Sequence, residues 1–576
     1  MAIFSVLDFV AVLVAANAVY FFGLSIYRLY FHPLAKYPGP LLWRLTQWPE
    51  AKSAWAGRRH VDLQLLHEKY GDIVRFGPDK LSFRTAQAVN DIYTDRRANM
   101  VKTGWTHAGE MINPGITTHV VSDRQLHAAK RKLLNNAFSD RAMSNLDKYI
   151  VERIRDWCAY LAQTDGSNTE EKSAWSKDRD MGHWSTLLTI DVLGELCFGA
   201  SFDAMKTGGC YIMELLISSS RFLQAVSDIL PPSSTSKMLI DAKVCFLPPR
   251  ELLFPFMKPH HLSAIGRATG AQNLINKVRF RQDIGKLVEK RFAVEKADAE
   301  KSEGDKRKDF FYYLLRAKDP QTGETFLPKD LVGEAALLVG AGSDTSSTAL
   351  SALFFYLTRN ERALKKLEEE IRTAFTDVEE IKYSARLTNL PYLRACIDEA
   401  MRMSPPVPGL LDRLVLPGGA MIDGRHIPAG TTVGVPIYAI HHNETYFPNS
   451  FSYIPERWIP GPESSATAGF TVTPTSVEVA KIAFHAFSSG PRGCVGKNMA
   501  YMELYTAVAR VMFLFDTRLK EGDHTGEGGG GVEWATGEGR HRKDEYQLRD
   551  WLISDRVGPV VQFKSREGVE LAAPAA

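Results

Sequence analysis

The run Phe487-Ser488-Ser489-Gly490-Pro491-Arg492-Gly493-Cys494-Val495-Gly496 is where residue types and spacing say most about chemistry. A cysteine attacks, or binds a metal, as its thiolate. Gly490, Gly493 and Gly496 let the backbone turn tightly and approach a flat cofactor. Such turns aim backbone N–H groups at the sulfur, and a helix expected from about Val495 adds its positive end. Arg492 offers a planar fork suited to a carboxylate. Phe487 would keep water from the sulfur and so tune a bound metal. The remaining cysteines, Cys158, Cys197, Cys210, Cys245 and Cys396, form no C-x-x-C pair and read as buried thiols of a reducing compartment.

Three further constellations lie upstream. Asp344 and Thr345 sit inside the long apolar stretch 331–357, where a polar pair is costly unless it has a task. Gly340 and Gly342 weaken that helix, so a local break is expected there. The structural alternative is a threonine bonding back to the preceding turn. Glu399 and Arg402 are three apart and share a helix face. Pro391 starts that helix and Ser404-Pro405-Pro406 ends it. The third is His127-Ala128-Ala129-Lys130-Arg131, on a basic helix expected over 122–137. His441 and His442 are read as neighbours on a strand, facing opposite ways, and so as structural residues rather than ligands of one metal.

The elements that must hold these residues are mostly helical. Residues 61–70 read as a helix, 72–76 with 80–84 as a hairpin, and 421–435 as a second hairpin turning at Asp423-Gly424. Residues 283–308 read as a charged, solvated helix running into a loop. Residues 522–539, with the run Gly528–Gly531, read as a flexible surface insertion that lacks the lysine of a phosphate loop.

The first 28 residues read as a transmembrane anchor. Residues 9–27 carry no charge, and the positive residues Arg28, Lys36 and Arg44 follow them. That order leaves the rest of the chain in the cytosol, with Asn443-Glu444-Thr445 unglycosylated. Residues 29–47 form a basic, proline-rich hinge around Tyr37-Pro38-Gly39-Pro40, and 48–576 the catalytic body. The 70 basic and 67 acidic residues leave a net charge of +3, which argues against nucleic acid as the partner.

The cysteine run matches F-x-x-G-x-R-x-C-x-G, the haem-binding signature of the cytochrome P-450 family, and the chain resembles that family from about residue 37 to 563. The resemblance implies a mainly α fold with small β-sheets around a buried haem, preceded by one N-terminal transmembrane helix. It implies that Cys494 is the axial ligand of haem b. Glu399, Arg402 and Arg457 of Pro455-Glu456-Arg457-Trp458 would form a buried cluster, although the family more often has phenylalanine at Trp458. Asp344 and Thr345 would be the acid–alcohol pair that delivers protons. Arg492, His127, Arg131 and Arg413 would serve the haem propionates, His127 standing where the family often has tryptophan.

The implied function is a monooxygenase that inserts one oxygen atom from O2, by hydroxylation or epoxidation. Electrons would come from an NADPH-dependent reductase, with cytochrome b5 as a second partner, docking near Lys130, Lys132, Arg492 and Lys497. The start of the chain and the stretch 545–550 resemble filamentous-fungal enzymes of secondary metabolism, trichothecene hydroxylases among them. That places the protein in the endoplasmic reticulum membrane with a terpenoid or polyketide intermediate as substrate. Its walls are expected at 103–120, 210–254, 337–343 and 407–411, which are mostly apolar. The alternatives are a haem-thiolate isomerase or dehydratase that needs no external electrons, and a non-catalytic membrane scaffold.

Overall fold

The structure is a computed structural model that describes residues 6–103, 117–164, 175–209, 271–302, 304–319 and 322–569. The fold is mainly helical with small sheets. Its long helices are α1 (Val6–Ile26), α2 (Arg59–Tyr70), α3 (Arg124–Asn135), α4 (Asp140–Leu161), α5 (Met181–Phe198), α6 (Ala271–Ala297), α7 (Pro328–Thr358), α8 (Glu361–Ala374), α9 (Pro391–Met403) and α10 (Lys497–Leu514). Their ends follow local chemistry. Asp123, Asp180 and Asn360 accept backbone N–H groups in the first turns of α3, α5 and α8. Proline opens α7 and α9, where no N–H is needed. Gly199 ends α5 with φ of 73°, a left-handed cap that glycine adopts without strain.

The helix α7 runs through the main apolar core, packed on α5, α9 and α10. The expected break near Gly340 is not there: α7 is continuous from Pro328 to Thr358. Gly342 has a different task. A Cβ on it would lie 2.8 Å from Leu193 Cδ1, so glycine lets α5 and α7 approach.

The strands are β1 (Ile73–Gly77), β2 (Lys80–Phe83), β3 (Met100–Lys102), β4 (Arg179–Asp180), β5 (Arg413–Val415), β6 (Ala420–Ile422), β7 (Arg425–Ile427), β8 (Thr432–Gly434), β9 (Phe515–Leu519), β10 (Arg549–Trp551), β11 (Ile553–Asp555) and β12 (Val560–Ser565). Five of them form a sheet in the order β1-β2-β8-β5-β3, in which β2 and β8 are parallel. β9, β12 and β4 form a second sheet. The first expected hairpin is β1–β2. The second is shorter than expected. β6 and β7 turn at Asp423 and Gly424, whose φ values of 50° and 70° suit a primed turn, while β8 leaves for the large sheet.

Three expectations change in this context. The glycine-rich stretch is not an untethered insertion. Gly528 and Gly529 donate to Arg542 and Arg540 carbonyls, and Ala535 is fully buried. His441 and His442 lie at the end of the short helix Ile437–His441, not on a strand. The hinge is clasped to β1, where Arg75 N–H donates to the Pro38 carbonyl at 2.7 Å and a Cβ on Gly39 would strike the Arg75 oxygen. Among the described residues, no helix is long and apolar enough to cross a membrane.

Candidate active site

The cysteine loop is built by two closures. Cys494 N–H donates to the Phe487 carbonyl at 2.9 Å, and Gly493 N–H to that of Gly490 at 2.9 Å. Gly490 has φ of 70°, and a Cβ there would lie 2.0 Å from the Tyr93 oxygen, so only glycine fits. Gly496 is under no such constraint, since a Cβ on it would make ordinary contacts at 3.8 Å and beyond. Among the described cysteines, Cys158, Cys197 and Cys396 are buried and Cys494 alone is exposed. Surrounding protein still raises its thiol, opposed by the Gly496 N–H, Arg131 and Lys497. A thiol accessible at its surface yet ringed by protein is poised for a metal that displaces the proton. The Phe487 ring is half-buried and packs on Tyr501 with centroids 5.1 Å apart.

Around this loop the fold gathers positive charge from distant segments. Lys102 on β3 is the register partner of Arg413 on β5. Like charges so placed repel unless an anion joins them. Arg413 is buried, with its guanidinium 4.9 Å from the Tyr93 ring, and burial lowers it. Lys102 is pushed down strongly by burial, then by Arg413 and Arg492. His127, buried on α3, falls to about 3 through burial and then Arg492, Lys102, Arg131 and Arg413. Its imidazole is therefore neutral near pH 7 and offers an N–H. Arg492 donates to the carbonyls of Val121, Ser122 and Asp123, anchoring the start of α3. Arg131 donates to the Gly493 carbonyl at 2.7 Å, next to Cys494. Lys102 and the neutral His119 join the three arginines and His127 expected from sequence; the order of residues along the chain gave no sign of them.

The α7 pair is split by geometry. The less buried residues of this stretch, Ala336, Leu337, Ala341 and Thr345, recur at helical spacing and form one open, mainly apolar face. Thr345 Oγ1 donates to the Ala341 carbonyl at 2.7 Å, the back-bond weighed as the structural alternative, here in an unbroken helix. Asp344 is buried, and burial raises it to about 6, opposed by Arg556. Arg556 in turn donates to Thr186 Oγ1 at 2.7 Å and to Ser347 Oγ.

The Glu399 cluster assembles completely. Arg402 Nε and Nη2 each donate to a Glu399 oxygen at 2.9 Å, Arg457 Nε donates at 2.9 Å and Ile454 N–H at 3.0 Å. Burial alone would raise the Glu399 carboxyl, but Arg402 and Arg457 hold it below the usual range. Trp458 Nε1 adds a donor at 3.0 Å, a contact that phenylalanine could not make. His441 accepts the His485 N–H at 2.9 Å through Nε2, and His442 Nδ1 lies 2.9 Å from the Tyr438 carbonyl. No group of three metal-binding side chains is found among the described residues. Lys130 is buried and paired with Asp330 at 3.2 Å, so it is not a rim charge for a partner. Wall segment 210–254 and most of 103–120 lie outside the described residues.

The family model for cytochrome P450 matches residues 35–527. The chain belongs to the cytochrome P-450 family. It is similar to the cytochrome P-450 monooxygenase AKT7 of Alternaria alternata, 32% identical over 96% of this chain and 97% of the relative. It is also similar to the monooxygenase poxM of Penicillium oxalicum (32%, 95% and 93%) and to atnE of Emericella nidulans (34%, 94% and 93%). The protein is a cytochrome P-450 monooxygenase that uses haem b, electrons supplied by NADPH through a reductase, and a small-molecule substrate. The residues present fit that cofactor. Cys494 offers a soft, accessible sulfur for iron. The half-buried Lys102 and the buried His127 and Arg413 offer positive and N–H groups to the two propionates.

Proposed function

We propose that Cys494 is the axial haem ligand of a membrane-anchored monooxygenase that hydroxylates or epoxidises a hydrophobic secondary metabolite, a terpenoid or polyketide intermediate. The observation that carries the substrate class is the open apolar face of α7 around Ala341. The haem, once bound through the thiolate, supplies the oxygen chemistry. The chain's own residues do the rest. Lys102, His127, Arg131, Arg413 and Arg492 hold the propionate side. Glu399, Arg402 and Arg457 brace the segment beneath the cysteine loop. Asp344, titrating near neutrality, holds and passes a proton beside Thr345.

The helix α1 serves as the anchor. What supports this reading is the uncharged run 9–27 followed by the positive Arg28, Lys36 and Arg44. The body then faces the cytosol at the endoplasmic reticulum, with the reductase and cytochrome b5 as electron donors. Asn443 cannot report that orientation: it is buried, and its Nδ2 donates to the Arg84 carbonyl at 3.2 Å.

The test has two parts. Purified protein, reduced under carbon monoxide, should show the red-shifted Soret band of a thiolate ligand, and Cys494→Ala should lack it. Microsomes fed apolar pathway intermediates should form an oxygenated product only with NADPH and reductase. Product formed without them would move the protein to the isomerase or dehydratase reading.

A further inference from the structure

A buried carboxyl on the helix that follows the cysteine loop has no part in the chemistry so far. Glu503 lies on α10, nine residues after Cys494, with 1% of its surface accessible. Its Oε1 has no hydrogen-bond partner among the described residues. The Ser346 hydroxyl of α7, one residue beyond Thr345, is the polar group that faces it. Carboxylates are rarely so buried without a cation. Charged residues do sit on the helices packed against α10: Asp156 on α4, Asp344 on α7, Glu370 and Arg372 on α8, and Asp398 and Arg402 on α9. None of them contributes to its titration, which burial pushes up to about 7, opposed only by Ser346.

We infer that Glu503 is a redox-linked proton acceptor: its proton affinity rises when the metal centre held by Cys494 gains one electron, so it takes up part of a proton per electron in the pH range where it titrates. The inference rests on the haem-thiolate reading of Cys494 and goes beyond it. The balance is simple. The reductase supplies the electron, solvent supplies the proton, and a fraction of the carboxylates become carboxylic acid, so the added negative charge is partly offset. α10 starts three residues after Cys494, and Glu503 is its seventh residue, about 9 Å along the axis from Lys497 at 1.5 Å per residue. A unit charge at about 10 Å in an effective dielectric of roughly 20 changes proton affinity about tenfold. Oε1 can take that proton without breaking a bond. Glu503 touches neither substrate nor iron and is a positioning residue for charge, not a catalytic one.

The test is the midpoint potential of the intact holoenzyme, measured by spectroelectrochemistry from pH 6 to 9. The wild-type potential should fall as pH rises, by a total of about 59 mV for a tenfold coupling of one electron. Glu503→Gln should flatten that dependence while keeping the red-shifted ferrous carbon monoxide band. Ser346→Ala provides a second readout, because losing the hydroxyl should move the inflection to higher pH. A pH-independent wild-type potential would overturn the inference, and so would an unchanged slope in Glu503→Gln. Absence of the red-shifted band in wild type would instead sink the thiolate reading itself.

Discussion

At the scale of single residues, the structure separates side chains that look alike in sequence. Trp458 differs from the family's usual phenylalanine by one donor, and that donor reaches Glu399. Trp458→Phe keeps an aromatic ring in place and removes one hydrogen bond to a buried charge. It should cost about 1.5–3 kcal/mol in thermal or denaturant unfolding while leaving haem content intact. Glu399→Ala strands two buried guanidinium groups, should cost about 3–5 kcal/mol, and should yield haem-poor protein. Asp344 gives a pH signature. Its folded carboxyl titrates above the ordinary value, so the proton favours the fold. Its destabilising effect is absent below about pH 4, grows up to about pH 6 and is constant above. Asp344→Asn should therefore gain stability over wild type at pH 7, by on the order of 3 kcal/mol, and lose that advantage at pH 4. Unfolding curves at the two pH values check it. The same variant should blunt turnover, because an amide cannot pass the proton.

At the scale of elements, the cysteine loop shows which glycines the motif needs for folding. Gly490 sits at positive φ against the Tyr93 backbone, whereas Gly496 has room. Gly490→Ala should lose the red-shifted Soret band and most soluble protein. Gly496→Ala should retain the band, with a stability change below about 1 kcal/mol. The two variants, compared by haem spectrum and yield, test whether steric fit or sequence pattern governs the loop. The α7 helix makes a related point. Glycine at 342 reads in sequence as a weak spot, but the neighbouring Leu193 makes it a packing site. Helix propensity is a local quantity, and a tertiary contact overrode it.

At the scale of the whole molecule, α1 and the body are separable in their physics. The body's cores lie under α7 and under the five-stranded sheet. The α1 residues Val19, Tyr20, Phe21 and Phe22 are 59–72% exposed. Deleting residues 1–26 should leave a protein that binds haem and shows the same carbon monoxide spectrum but no longer sediments with membranes. Retained sedimentation would place the membrane contact on the body instead.

Consecutive residues carried the parts of this protein that are local: the cysteine loop, the Glu399–Arg402 helix face, the β6–β7 turn and the helix starts at proline. Short-range sterics and hydrogen bonds decide these, and a run of neighbours encodes them. Tertiary structure alone brought Lys102 opposite Arg413, set Trp458 on Glu399, paired Lys130 with Asp330 and buried Asn443 and Glu503. Each joins or encloses segments far apart in the chain. Burial and the neighbours' charges then fix what such a side chain does, and neither is written in its own stretch of sequence.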